Sequence, residues 1–287
     1  MLLHKERLDA AISQHNLAAI IATTPENVLY TSGFWCLPQW IRRGPQAFVV
    51  LGANKNETAP VIVTGTSTLD LLADQGVPAK VRRYGSFTVD THPSARLDAV
   101  SSRQAELQNL PDDGNAINGL ISELRTAGLV NRRIGIDEVG LMPGDIDRLR
   151  DALPDVTWVM ATSTFRTVRA VKTTEEIERL RIVAQITERS VQAALSVARE
   201  GATESDLARA FHTQTVQEDG FPVLGCIGFG ERSALMNVQP STRPLRRGDI
   251  IRFDVGGHYR NYRADIARIA SFSEPTQEIL TKYKALN

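Results

Sequence analysis

Two aspartates eleven residues apart, Asp254 and Asp265, lie within the stretch from Gly248 to Arg268. They flank Arg260-Asn261, which suits a two-residue hairpin loop because asparagine tolerates the positive φ of tight turns. With that loop, Tyr259 faces Tyr262, Asp254 faces Ala267, and Asp265 faces Gly256. Side chains alternate between the two faces of a strand, and residues opposite each other share a face. Asp254 and Asp265 therefore fall on one side as diagonal neighbours, with Cβ atoms about 7 Å apart. Carboxylates so placed can both reach one or two divalent ions. A pair of ions about 3.5–4 Å apart can activate a bridging water and polarise a carbonyl. Hard oxygen donors favour manganese or magnesium over copper. The same spacing is also common around ordinary turns, and a catalytic ion needs about three protein ligands. On spacing alone, metal-binding and purely structural readings stay open.

The elements that must position this hairpin are helices followed by strands. Thr173 and Glu176 have the Thr-x-x-Glu spacing of a capping box, in which each side chain satisfies a backbone N–H of the first turn. Ile177, Leu180, Ala184, Val191, Leu195 and Ala198 then share one helical face, and Gly201 ends the run. A second helix starts near Thr203, turns Leu207, Ala210 and Phe211 inward, and stops at Gly220. From Phe221 to Phe229, Asp249 to Val255 and Ala264 to Phe272 the pattern is β. Helix, helix, then antiparallel strands is an α+β order.

Upstream of about residue 165 the texture differs. Leu17–Ala22, Ala47–Leu51, Val61–Thr64, Ile134–Asp137 and Val156–Ala161 read as buried strands. They are spaced by the helical stretches Ser67–Gln75, Ile117–Ala127 and Asp145–Leu153, which predicts an α/β domain. The polar stretch Thr88–Gly114, with Pro93 and Pro111, reads as a long surface excursion. The expected organisation is residues 1–165 and 166–287.

Composition excludes several classes of function. With 42% hydrophobic and 23% charged residues among 287, the chain is not disordered. Thirty-three basic against 33 acidic residues leave no net charge, which argues against a nucleic-acid binder working by bulk electrostatics. The doublets Arg42-Arg43, Arg82-Arg83 and Arg246-Arg247 read as solvated surface. The longest early apolar run, Leu17–Ala22, is far short of the roughly 20 residues that span a membrane. The stretch Met1–Asp9 reads as lacking the apolar run and cleavage site of a secretory signal, and Cys36 and Cys226 make no disulfide framework. A cytoplasmic protein with free thiols is expected.

Set in order, the pieces resemble a known family. Pro25-Glu26-Asn27-Val28-Leu29-Tyr30-Thr31-Ser32-Gly33-Phe34, Ile134-Gly135-Ile136-Asp137, the run from Arg169 to Arg181, Gly201–Leu207 and Gly248-Asp249 are similar to the creatinase / Xaa-Pro peptidase group, the prolidase-like pita-bread metallopeptidases. Asp254-x-Gly256 followed by Tyr262-x-x-Asp265-x-x-Arg268 resembles the segment that carries that family's first two metal ligands. The resemblance implies a creatinase-type N-terminal α/β domain followed by an incomplete α+β pita-bread domain. It implies metal-dependent hydrolysis of peptide bonds next to proline, by an aminopeptidase or dipeptidase acting on a small peptide or amide. It also implies Asp254 and Asp265 as ligands of two divalent ions, manganese or cobalt, and a homodimer.

Two departures qualify the resemblance. The family completes its site with a later His and two later Glu residues. No histidine follows Asp265, and Glu274 and Glu278 do not match the family's spacing. The chain therefore reads as cut short, inactive by itself, and unable to hold the ions tightly. Asn237 stands where the family usually carries a His, and an amide cannot exchange a proton near neutral pH, so no catalytic residue is assigned. The alternatives are a metal-free creatinase-like C–N hydrolase and a non-catalytic peptide-binding module. His258, near the hairpin tip, and His212 read as solvated or packing residues, and Cys226 as core. The loop with Trp35, Pro38 and Trp40 suits a pocket wall, a subunit interface or simple packing.

Overall fold

The computed structural model describes residues 2–42, 45–53, 59–90, 92 and 94–286. The chain divides into two compact units, Met1–Thr173 and Thr174–Asn287.

In the first unit the elements run α1 (Lys5–Gln14), β1 (Ala19–Ala22), α2 (Pro25–Ser32), α3 (Leu37–Trp40), β2 (Phe48–Gly52), β3 (Val61–Gly65), α4 (Leu69–Asp74), β4 (Lys80–Tyr84), α5 (Ala99–Gln108), α6 (Ala116–Thr126), β5 (Arg133–Ile136), α7 (Asp145–Ala152), β6 (Thr157–Met160) and α8 (Thr162–Ala170). The six strands form one sheet in the order β4-β3-β2-β1-β5-β6. β1, β5 and β6 are parallel, as are β3 and β4, while β2 is antiparallel to both its neighbours. Central β1 is buried along its whole length, which is why its sequence is continuously apolar rather than alternating. Ile117, Leu120 and Leu124 of α6 pack with Phe48, Val63 and Ile136 of the sheet.

A buried carboxylate organises the end of β1. Asp137 follows β5 and is fully buried. It accepts from the Thr24 N–H (3.0 Å) and hydroxyl (2.6 Å), Asn27 Nδ2 (2.7 Å) and the Thr162 hydroxyl (2.7 Å). Thr24 is also the N-cap of α2. Burial without such donors would cost several kcal/mol, so this one residue locks two helix starts to a strand end. Arg7 donates to the Val168 and Thr167 carbonyls and ties α1 to α8.

Two expectations for this unit are corrected. The excursion at 88–114 contains α5, capped by Asp98, whose carboxylate accepts from Ser101 N–H at 2.8 Å. Only Leu107 of that helix is buried, so it carries almost no apolar stripe to read; Thr91 and Pro93 of the excursion lie outside the described residues. Arg82-Arg83 are not solvated surface but sit in edge strand β4. Arg82 pairs with Glu123 (2.8 Å) and Asp113 (3.2 Å), and Arg83 donates to the Leu110 carbonyl (2.6 Å). Arg42, Arg246 and Arg247 are exposed as expected, and Arg43 lies outside the described residues.

The second unit runs α9 (Thr174–Ser196), α10 (Glu204–Gln217), β7 (Phe221–Phe229), β8 (Ile250–Tyr259), β9 (Tyr262–Arg263), β10 (Ile266–Ser271) and α11 (Gln277–Leu286). Its sheet has the antiparallel order β10-β8-β7, with β9 on β8. Ile251, Phe253 and Val255 of β8 pack with Ile227 and Phe229 of β7 and with Leu207 and Phe211 of α10. The alternating partners Arg252, Asp254 and His258 are half-buried on the other face.

The apolar face expected for α9 is also corrected. The buried residues are Glu176, Val183, Ile186, Thr187, Ser190, Val191 and Ala194, while Ile177 is 46% exposed. The stripe is partly polar because its hydroxyls are satisfied. Thr187 donates back to the Val183 carbonyl (2.8 Å), and Ser190 lies 2.8 Å from the Thr215 hydroxyl on α10. Glu176 accepts from the Tyr262 hydroxyl at 2.9 Å. A reciprocal capping box opens α10, between Thr203 and Asp206.

Candidate metal centre

The hairpin forms through the loop read from the sequence. Arg260 and Asn261 have φ of 45° and 70°, the two left-handed residues of a type I′ turn. An arginine rarely adopts this region. Here its carbonyl accepts from Arg179 of α9 at 3.0 Å, and its guanidinium lies 5.3 Å from the Tyr259 ring centroid. Tyr259 pairs with Tyr262, and Asp254 pairs with Ala267.

Between β9 and β10 the ladder breaks at Ala264 and Asp265. The cause is visible at Gly256. A Cβ built there would lie 2.0 Å from the Ala264 carbonyl oxygen and 3.4 Å from Asp265 Cα. That Cβ direction is the one shared by Asp254. The backbone at 264–265 thus folds over the face that bears Asp254, and the glycine of Asp254-x-Gly256 leaves it room. Asp265 is exposed, and Asp254 has 28% of its side chain exposed.

Asp254 already holds a cation. Arg252 Nη2 donates to Asp254 Oδ2 at 2.6 Å, and Arg252 Nη1 donates to the carbonyls of Leu235 and Met236, both at 3.0 Å. Residues two apart on a strand share a face, so Arg252 was within reach of Asp254 by spacing alone. That signal went unread in the sequence.

The segment facing this hairpin is anchored by a second buried carboxylate that the sequence reading also missed. Glu204, fully buried, accepts from Phe229 N–H (2.9 Å), Ser241 N–H (2.9 Å), the Ser241 hydroxyl (2.6 Å) and Arg232 Nε (2.9 Å). Burial opposes its ionisation, yet these donors together hold its pKa below the ordinary 4.5. A charged residue in the first turn of a helix, followed by an arginine and a serine able to reach it, was the available signal.

The remaining candidates disperse. Asn237 is exposed on the 235–240 segment. His258 is not solvated as expected but stacked on Phe221 (centroids 4.9 Å, planes 17°), and desolvation lowers its pKa, with Arg263 adding to the effect. His212 packs beside Phe211. Cys226 is buried, with Gln239 Nε2 3.6 Å from its sulfur. Glu278 pairs with Lys282 on α11, and Glu274 is exposed. Trp35 and Trp40 are half-buried against each other, with centroids 5.4 Å apart.

Tested against a divalent ion, the donors fit in kind and fall short in number. Asp254 and Asp265 offer hard oxygen. No group of three or more His, Cys, Asp or Glu side chains placed to hold an ion occurs among the described residues, and one oxygen of Asp254 is engaged by Arg252. These residues alone do not close an ion cage.

An α/β domain followed by two helices on an antiparallel sheet defines a class that comparison with known proteins makes specific. Residues 5–171 match the Creatinase/Prolidase N-terminal domain, and residues 178–287 match Metallopeptidase family M24. The chain belongs to this creatinase/prolidase family of metallopeptidases. Its fold is similar to that of the X-Pro aminopeptidase from Thermotoga maritima (23% identity, TM-score 0.69, 96% of this chain and 67% of that one). It is similar also to the Xaa-Pro dipeptidase from Bacillus anthracis (18%, 0.70, 97% and 67%) and the prolidase from Pyrococcus furiosus (17%, 0.66, 96% and 68%). An uncharacterized peptidase of Staphylococcus aureus strain USA300 is 27% identical over 118 residues, which is 40% of this chain and 33% of that protein. The chain thus spans about a third of that curated relative in the match and about two thirds of the solved chains. A metallopeptidase family implies divalent metal ions. Among the described residues no helix is long and apolar enough to cross a membrane.

Proposed function

We propose that the protein is an Xaa-Pro peptidase, a metal-dependent hydrolase of peptide bonds next to proline, of the aminopeptidase or dipeptidase kind. The observation that carries this reading is the Asp254-x-Gly256 hairpin, whose broken ladder brings the Asp265 backbone over the face of Asp254. Asp254 and Asp265 are the proposed metal ligands, with manganese or cobalt as the proposed ions, and a cytoplasmic homodimer as the working form. When bound, such ions supply Lewis acidity toward the peptide carbonyl. What this chain supplies is the rigid frame: Tyr262 on Glu176 and Arg179 on the turn carbonyl hold the hairpin to α9, and Glu204 fixes the 229–241 segment.

The test is made on the protein purified from its native source at its native length. With manganese it should release the N-terminal residue from Xaa-Pro peptides, and cleave matched Xaa-Ala peptides far more slowly. Asp254→Asn introduced at that length should cost at least about a thousandfold in kcat/KM, as expected for loss of an interaction that stabilises developing charge. Equal cleavage of both peptides, or full activity in Asp254→Asn, would refute the reading. A second reading, a peptide-binding module without turnover, is favoured by the Arg252–Asp254 pair. Peptide binding with no cleavage at native length would select it.

A further inference from the structure

The sheet of the first unit has two unlike edges. β4 forms one and carries Lys80, Arg82 and Arg83. Its outer side is covered, since Arg83 bridges to Asp112 and the Asp113 N–H donates to the Arg83 carbonyl at 3.1 Å. β6 forms the other edge and reads Thr157-Trp158-Val159-Met160, without charge or proline. Thr157 N–H donates to the Arg132 carbonyl (3.0 Å), and Ala161 N–H to the Ile136 carbonyl (2.7 Å). Alternation therefore turns the N–H and C=O of Trp158 and Met160 away from β5. Among the described residues these outward groups have no hydrogen-bond partner. Beside them, exposed Met160 (41%) and Met142 (58%) line an open cavity of about 490 Å³ with Leu141, Ile146 and Arg150.

From this we infer that β6 is the interface strand of a homodimer, pairing antiparallel with β6 of a second copy across a two-fold axis at Val159. This gives the proposed homodimer a surface and a register, and it does not depend on the metal ligands. An open, uncharged edge recruits another strand, and the side chains of β6 suit its own copy. With Trp158 and Met160 facing outward, the register that satisfies both sets Trp158 opposite Met160 of the second copy, and Val159 opposite Val159. Each Trp158–Met160 pair exchanges two main-chain hydrogen bonds. On one face a thioether meets an indole, a favourable contact. On the other face two β-branched side chains meet. A two-fold axis also sets every charge near it against its own copy, and like charges directly opposite destabilise. β4 fails that condition with Lys80, Arg82 and Arg83, whereas β6 meets it. A stable interface needs about 1,200 Å² or more, and exposed Met142 beside the edge extends the apolar contact beyond the strands.

Analytical ultracentrifugation of the purified protein, together with cysteine cross-linking, tests this. Wild type should sediment as a dimer at micromolar concentration. Met160→Lys puts a charge on the edge. Met160→Pro removes an outward N–H and leaves the bonds to β5 in place. Each should raise the dimer dissociation constant about tenfold or more. Met236→Lys, at an exposed methionine of the second unit, should leave it unchanged. The register is read by cysteine. Val159→Cys sets two thiols on directly opposed residues with Cα atoms about 4.5 Å apart, within disulfide reach, so mild oxidation should give a covalent dimer. Thr157→Cys, which faces Ala161 of the second copy, should not cross-link. Native Cys36 and Cys226 are buried and form a silent background. A wild type that stays monomeric, whether or not its edge takes a foreign extended peptide, would overturn the inference. A dimer untouched by both Met160 variants, or one dissolved by Met236→Lys instead, would do the same, as would cross-linking of Thr157→Cys in preference to Val159→Cys. Val159→Cys is a mild change, so its result stands even where Met160→Pro fails to fold. Peptide cleavage enters none of these readouts, so their outcome is separate from that of the peptidase reading.

Discussion

A single glycine shows how closely sequence and site geometry are joined. At Gly256 there is no space for a methyl group, because the Ala264 carbonyl oxygen would lie 2.0 Å away. Gly256→Ala must push the 264–265 backbone off the sheet and carry Asp265 with it. The expected cost is about 1–3 kcal/mol, seen as a lowered urea midpoint with unchanged slope, and weaker Mn²⁺ binding should accompany it. A variant as stable as wild type would show that the broken ladder at Ala264 and Asp265 is not forced by packing. At this scale the register of the hairpin was legible, since turn chemistry and alternation suffice to pair Asp254 with Ala267. Arg252 was not read because an arginine near an aspartate is common on any surface. What distinguishes it is the pair of carbonyls from a segment sixteen and seventeen residues away in sequence.

Among the elements, α10 and its cap carry the most testable electrostatics. Thr203 and Asp206 cap each other reciprocally, and these bonds with Arg209 hold the Asp206 carboxyl at a pKa of about 2. Next to it, Glu204 is held below its ordinary value despite burial. A carboxylate whose pKa is lowered by folding contributes stability that is complete above the unfolded-state value. That contribution is lost as pH falls through the folded-state value. Unfolding stability of the chain should therefore decline from about pH 4.5 downward, with Glu204 and Asp206 contributing to the slope. Glu204→Gln should cost about 3 kcal/mol at pH 7, the lower end for breaking a buried pair because Arg232 keeps some solvent, and should flatten part of that acid slope. An unchanged slope would mean that Glu204 is not ionised in the folded protein. The strands and most helices of both units could be read because their apolar patterns are strong. The α9 stripe misled because Thr187 and Ser190 count as polar in a pattern yet are buried and satisfied. Helix α5 was invisible because one leucine is all it buries.

For the molecule as a whole, the order of its parts says more than any one motif. An α/β unit ending in α8 and an α+β unit beginning at α9 follow each other in the order of the Creatinase/Prolidase N-terminal domain and Metallopeptidase family M24 that they match. The resemblance was readable because several weak motifs recur in a fixed order. The proposed activity depends on Asp254 and Asp265 taking a metal, so that assignment is the one to test. The most direct measurement is anomalous diffraction at the manganese edge from crystals of the native-length protein soaked in Mn²⁺. The proposed site predicts peaks within coordination distance of both Asp254 and Asp265. Manganese bound elsewhere, with both carboxylates free of it, would contradict it.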